Sequence, residues 1–439
     1  MTAEVIVMNK SAVALAADSA MSTGQERGQK IFNTANKLFA LSKYQPVGIM
    51  IYGNSEFMVT PWETIIKYYR SQLHKKKFPH LREYAEDFIS FFQQENHIFW
   101  PPPIQEQYFL NTITGYFQFV REQIENKVKE SLSAGKSLTE EHIKTIVSSV
   151  VKDQRDEWDH APSLPTIPDN HSAKIANTYQ NQIQAAITNV FQSLPLPETA
   201  IADLQAIATQ FFCKNKFTLY SSGLVVAGFG EEEIFPSVAS FTLDAVIKGK
   251  LKYTETGSHT VSRDDQACIM PFAQSEMVET FMRGIDPYFS QTINAYLTEL
   301  IIKYPQQILD AIPQIPPKER EQLAAILDQT AKQELKKFEI IIQSYIDKHH
   351  IQPVMNAVAA LPKDELAAMA EALVNLTSFK RKVTLEAETV GGPIDVAVIS
   401  KGDGFIWIKR KHYFKPELNK AFFDNYYCED NYEQAKESQ

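Results

Sequence analysis

After Met1 the chain runs Thr2-Ala3-Glu4-Val5-Ile6-Val7-Met8, turns at Asn9-Lys10-Ser11, and continues as Ala12-Val13-Ala14-Leu15-Ala16-Ala17-Asp18-Ser19. Glu4 to Met8 is extended and rich in β-formers, and Ala12 to Ala17 is an apolar run of strand length that Asp18-Ser19 stops. The stretch therefore predicts a strand, a tight turn and a second strand. It does not read as a signal peptide, because no cationic segment precedes the apolar residues, Glu4 comes early and Asp18 ends them. The mature chain is expected to start at residue 1 or 2.

Working outward, Lys37 to Leu41 and Val47 to Tyr52 predict a second strand pair, which Gly53-Asn54 ends. Pro61-Trp62-Glu63 opens a helix to about Leu73, with proline at an early helical position. From His80 to Phe212 the pattern is helical, with helices expected over 80–97, 104–133, 139–158, 172–194 and 197–213. The proline run Pro101-Pro102-Pro103 separates the first two, and Ser137-Leu138-Thr139-Glu140 has the form of a capping box for the third. Strands return at Phe217–Tyr220, Leu224–Phe229, Ser240–Leu243 and Leu251–Thr254. Helices occupy 274–310 and 316–380. The last strands are expected at Lys382–Thr389, Ile394–Ser400 and Phe405–Lys409, with Lys401-Gly402-Asp403-Gly404 as the hairpin turn between the last two.

Strand blocks at both ends and in the middle, with helical blocks between, predict an α+β fold with large helical insertions. The expected organisation is core over 1–75, helical insertion over 76–215, core over 216–310, a second insertion over 311–380, core over 381–415 and a tail over 416–439.

A 439-residue chain of 44% hydrophobic and 22% charged residues can build a large core. A net charge of −9 argues against a general nucleic-acid binder. Cys213, Cys268 and Cys428 are far apart and odd in number, which argues against a disulfide framework or a zinc cluster and fits a reducing compartment. No apolar run approaches the roughly 18 residues of a membrane span. The expected protein is cytoplasmic, without a membrane partner, metal or cofactor.

Thr2, followed at an ungapped spacing by Ala16-Ala17-Asp18-Ser19 and the small-residue stretch Ala20-Met21-Ser22-Thr23-Gly24, resembles the start of proteasome β subunits and of the bacterial ring peptidase of the heat-shock locus. Asn36-Lys37-Leu38-Phe39-Ala40-Leu41 is similar to the strand that opens with the family's lysine, about three residues later than usual, with Lys30 as the rival. Ile51-Tyr52-Gly53-Asn54 matches the family's glycine after the following strand, and Leu224 to Gly230 resembles its central strand. Asp264 to Gly284 resembles the approach to its third helix, but Phe272-Ala273-Gln274-Ser275 stands where the family has a Gly-Ser-Gly-Ser-like loop. Gln274 replaces the family's serine, or Ser275 takes its role. Thr389 to Val396 resembles the family's late Gly-Gly strand, and the Asp and Ser expected before those glycines fall nearest Ala387 and Val390, with Glu386 and Glu388 alongside. These blocks cover roughly 150 residues.

The resemblance implies an N-terminal-nucleophile hydrolase with a four-layer αββα sandwich. Peptides or unfolded proteins would be its substrates, and a homo-oligomer its assembly. It makes Thr2 the nucleophile once Met1 is removed. The chemistry needs those residue types. An α-amine with a reference pKa of about 7.7–8.0 is partly neutral at cytosolic pH and can take the hydroxyl proton of its own residue. Lys37 would disfavour a second positive charge on that amine, and Asp18 would hold Lys37 charged and oriented. Gly53 would offer a backbone N–H to the developing oxyanion. The alternatives are a non-proteolytic amidase or acyltransfer enzyme on the same scaffold, and a catalytically silent scaffold.

Other motifs are read as structural. Ala134-Gly135-Lys136-Ser137 lacks the first glycine of a phosphate loop. Gly228-Phe229-Gly230 sits beside Glu231-Glu232-Glu233, which would repel a pyrophosphate. His349-His350 is a solvated helix end, Lys409-Arg410-Lys411 an exposed strand end, and Cys213 and Cys268 small core residues.

Overall fold

In the computed structural model, residues 2–23, 30–94, 97–135, 139–192, 194–218, 220–312, 314–384, 390–421 and 423 are described. The strands are β1 Ala3–Asn9, β2 Val13–Ala17, β3 Met21–Thr23, β4 Lys30–Phe32, β5 Leu38–Ala40, β6 Val47–Gly53, β7 Glu56–Phe57, β8 Thr60–Pro61, β9 Ser222–Gly228, β10 Ser237–Ile247, β11 Lys250–Thr260, β12 Ala267–Ala273, β13 Asp395–Ser400 and β14 Gly404–Lys409. The helices are α1 Trp62–Leu73, α2 Leu81–Phe91, α3 Pro102–Ser133, α4 Glu140–His160, α5 His171–Phe191, α6 Glu198–Gln210, α7 Glu276–Arg283, α8 Pro287–Asp310, α9 Pro317–Ile346, α10 Gln352–Ala360 and α11 Lys363–Val383. The chain is a mixed α+β protein with antiparallel sheets.

Two units divide it. One comprises Met1–Leu38, Val261–Ile399 and Phe405–Gln439, and the other Phe39–Thr260 with Ser400–Gly404. The first carries the five-stranded sheet β12-β1-β2-β13-β14 and the second the five-stranded sheet β11-β10-β9-β6-β5. Both sheets leave strand neighbours out of sequence order, so the chain's beginning and end meet in one sheet, β2 pairing with β13.

In the first unit, alternation decides which side chains meet the helices. Ala3, Val5 and Val7 of β1, Ala14 and Ala16 of β2, and Val396 and Val398 of β13 form one core with Val278, Val358, Leu366, Ala370 and Val374 of α7, α10 and α11. The residues between them take the opposite face of the sheet.

In the second unit, α3 buries Phe109, Ile113, Phe117, Val120 and Ile124, the apolar stripe expected of a long amphipathic helix. Thr139 caps α4 by accepting from His142 N at 3.3 Å. Of the expected capping box, Ser137 and Leu138 lie outside the described residues. Phe57, Phe88, Phe92 and Trp100 close the core with edge-to-face and stacked ring pairs.

Several expectations are corrected here. Phe217 to Tyr220 forms no strand over its described residues, and the polypeptide of Lys382 and Val383 ends α11 rather than starting a strand; Leu385 to Thr389 lie outside the described residues. β12 was not anticipated because Pro271 sits inside it. As an edge strand it tolerates the lost donor, pairing only with β1. Leu251–Thr254 is the first part of a longer strand, β11. Among the described residues, no helix is long and apolar enough to cross a membrane.

Candidate functional site

Asp18, just past β2, is the organising residue. Its Oδ1 accepts from Ala3 N at 3.1 Å and from Lys37 Nζ at 2.6 Å, and its Oδ2 accepts from Ala20 N at 3.1 Å and Gly391 N at 3.0 Å. Asp18 N donates back to Ala3 O at 3.1 Å. The side chain of Asp18 is fully enclosed and that of Lys37 is only 9% exposed, so the ion pair is dry and held by three backbone donors as well.

Thr2 lies one residue before the Ala3 clamp and is buried. Its carbonyl accepts from Gln274 N at 3.2 Å. The residue is thus fixed from both sides of β1, by Asp18 next to β2 and by Gln274 at the end of β12. The side chain of Gln274 accepts from Arg381 Nε at 2.8 Å, and Arg381 also pairs with Glu276 at 2.8 Å. Ser275 sends its hydroxyl to Glu279 Oε1 at 2.5 Å at the start of α7. The loop that departs from the serine pattern therefore holds Thr2 by its backbone, while its hydroxyl serves the helix.

The segment Gly391–Pro393 wraps the same corner. Gly391 O accepts from Ser19 N at 3.1 Å, and Pro393 O accepts from the Ser19 hydroxyl. Val390 is buried in the helix-side core, so the position nearest the expected polar residue is apolar. Glu386, Ala387 and Glu388 lie outside the described residues. Gly53 ends β6 in the second unit with φ +84°, and a Cβ there would stand 2.8 Å from Ser221 O, so the backbone demands glycine.

Three charged residues of this region escaped sequence reasoning. Glu4 pairs in register with Ala17, and Ala17 with Asp395, so the two acids flank a small alanine in one row across the sheet. All three are on the face away from the helices, and by alternation Thr2 shares it. Glu4 is fully buried, and neither carboxyl oxygen has a hydrogen-bond partner among the described residues. Burial pushes its carboxyl well above the usual range, an effect that Lys37 opposes and Asp18 reinforces. Asp395 accepts from Lys411 N at 2.8 Å and from the Lys411 ammonium. Burial lowers the Lys411 pKa, Asp395 opposes that, and the Lys37 charge adds to it. Lys411 is thus a half-buried partner of Asp395, with a side chain 9% exposed, and the expectation of an exposed Lys409-Arg410-Lys411 strand end is corrected at this residue. The signals that could have found them were an acid inside a β-rich run at Glu4 and an acid opening the late strand at Asp395.

The remaining candidates are structural. The Cys268 thiol is pushed up to about 12 and the Cys213 thiol to about 11, both chiefly by burial, which leaves them protonated and unreactive. His349 and His350 lie in a single π-helical turn, Asp347–Ile351, between α9 and α10.

No protein-family model matches this chain, and no curated protein does. A solved structure that matches is described as the helical assembly of the Anbu complex from Pseudomonas aeruginosa. It is 10% identical, with 99% of this chain and 96% of that chain covered, at a TM-score of 0.27. The resemblance to proteasome β subunits and the heat-shock-locus peptidase is corrected: no family model supports the assignment, and the Anbu structure is similar only at 10% identity and a TM-score of 0.27.

Proposed function

We propose that the chain is an N-terminal threonine hydrolase that cleaves amide bonds, peptides among them, through an acyl-Thr2 ester formed after Met1 is removed. The observation that carries the reading is the dry Lys37–Asp18 pair whose carboxylate also clamps the N–H of Ala3, next to Thr2. A buried cation that shares Asp18 with the Ala3 N–H would keep the freed Thr2 α-amine from holding a second positive charge.

In the proposed reaction the Thr2 hydroxyl passes its proton to the Thr2 amine as Oγ attacks the amide carbon. The tetrahedral intermediate collapses, the C–N bond breaks, and the leaving amine takes that proton. Water then repeats the sequence on the acyl ester, releasing the acid and restoring Thr2. The four-layer αββα sandwich expected from the sequence belongs to the same proposal.

The test is intact mass before and after an epoxyketone, which captures both the hydroxyl and the amine of an N-terminal threonine. Loss of Met1 and one added inhibitor mass, abolished by Thr2→Ala, supports the hydrolase. A retained Met1, or a bare Thr2 that never reacts, supports a second reading: a catalytically silent scaffold. That reading is favoured by the engaged side chains of Gln274 and Ser275, which leave the loop beside Thr2 without an uncommitted hydroxyl.

A further inference from the structure

Helices α8 and α9 form a hairpin that hides little of its own apolar surface. Leu309 is the buried residue of α8 and Ile346 that of α9. Along α8, Phe289, Tyr296, Leu300, Tyr304 and Ile308 recur at spacings of seven and four, one stripe of a helix, with exposures of 57%, 64%, 39%, 55% and 42%. The stripe runs most of the length of a 24-residue helix, about 36 Å. A helix normally turns such a stripe to a core, and solvent-exposed apolar patches on monomers seldom exceed a few hundred Å².

We propose that the α8 stripe is the docking surface for the same stripe of a second copy of this chain, the two hairpins forming a four-helix bundle about a twofold axis. Area is the first argument. Half-exposed aromatic side chains leave roughly 100 Å² each to bury. The three aromatic positions, with Leu300, Ile308 and the polar flanks of the stripe, approach the roughly 800 Å² per partner of a stable interface. Charge is the second. The whole chain carries −9, yet α8 and α9 together hold six cations and seven anions. Several of these pair within the hairpin, as Lys303–Glu299, Arg320–Asp310 and Lys332–Asp328 do. A surface without a dominant sign can face its own copy without repulsion, and an isologous contact requires that self-complementarity.

The test is the solution mass of the full chain by light scattering, alongside Leu300→Lys and Tyr296→Glu. Both positions are exposed, so the substitutions leave the fold of the single chain intact, checked by circular dichroism. The expected result is a wild-type mass that is an even multiple of 49.9 kDa, with each variant reduced to half of it or less. A wild-type monomer overturns the proposal and leaves the stripe to a foreign partner. An oligomer unmoved by both charges overturns it too.

Discussion

Lys37 and Asp18, nineteen residues apart, meet at 2.6 Å with both side chains buried. Because Asp18 also bonds Ala3, Ala20 and Gly391, one carboxylate ties the first strand, the bend after the second and the approach to the late strand. Removing either member leaves the other as an uncompensated buried charge. Lys37→Met is expected to cost about 3–5 kcal/mol in urea unfolding and to slow epoxyketone capture about a hundredfold or more. An unchanged capture rate in a stable variant would remove Lys37 from the chemistry.

Glu4→Gln tests the buried acid of β1. The folded pKa of Glu4 is raised, so the native state holds a proton that the unfolded chain gives up above about pH 4.3. The native state therefore binds more protons than the unfolded one in that window, and this residue's contribution to stability falls as pH rises from about 4.3 toward the folded pKa. The slope is about 1.4 kcal/mol per pH unit at most. Glu4→Gln removes this slope, so its stability gain over wild type is expected to be larger at pH 7 than at pH 4.5. Parallel denaturation curves for the two proteins at both pH values would refute a raised pKa at Glu4.

The Asp395–Lys411 pair should behave as a unit. Asp395→Asn strands the Lys411 ammonium in a poorly solvated site and is expected to cost about 3–5 kcal/mol. Lys411→Met in the same background should recover part of that loss, with a coupling energy of about 0.5–3 kcal/mol in a double-mutant cycle. Additive losses would mean that the two charges do not interact.

Gly53→Ala tests the backbone demand at the end of β6. At φ +84° with Ser221 O in the way, alanine is expected to cost about 1–3 kcal/mol of stability in urea unfolding. An unchanged stability would mean that the turn adapts to a Cβ.

Much of the architecture was legible from local pattern. The five helices between His80 and Phe212 were each read within a few residues at most termini, because a 3.6-residue apolar stripe such as Phe109 to Ile124 is visible along the chain. The hairpin at Lys401–Gly404 was visible in its glycines. What failed was what depends on a neighbour. β12 carries a proline that only an edge position tolerates. Lys411 follows a strand in an exposed-looking basic triplet, and only the side chain of Asp395 draws it in.

By itself, then, the sequence determined the alternation of β1 and β2, the turn between them, the helical blocks, and the place of Asp18 as the residue that stops the second strand. These follow from periodicity and turn chemistry, which act over a few residues. Only the tertiary structure decided that Glu4, Ala17 and Asp395 form one row. The register between strands from opposite ends of the chain is a long-range choice, made by which faces can be buried together. It makes Glu4 a buried carboxyl of the candidate site with no hydrogen-bond partner among the described residues.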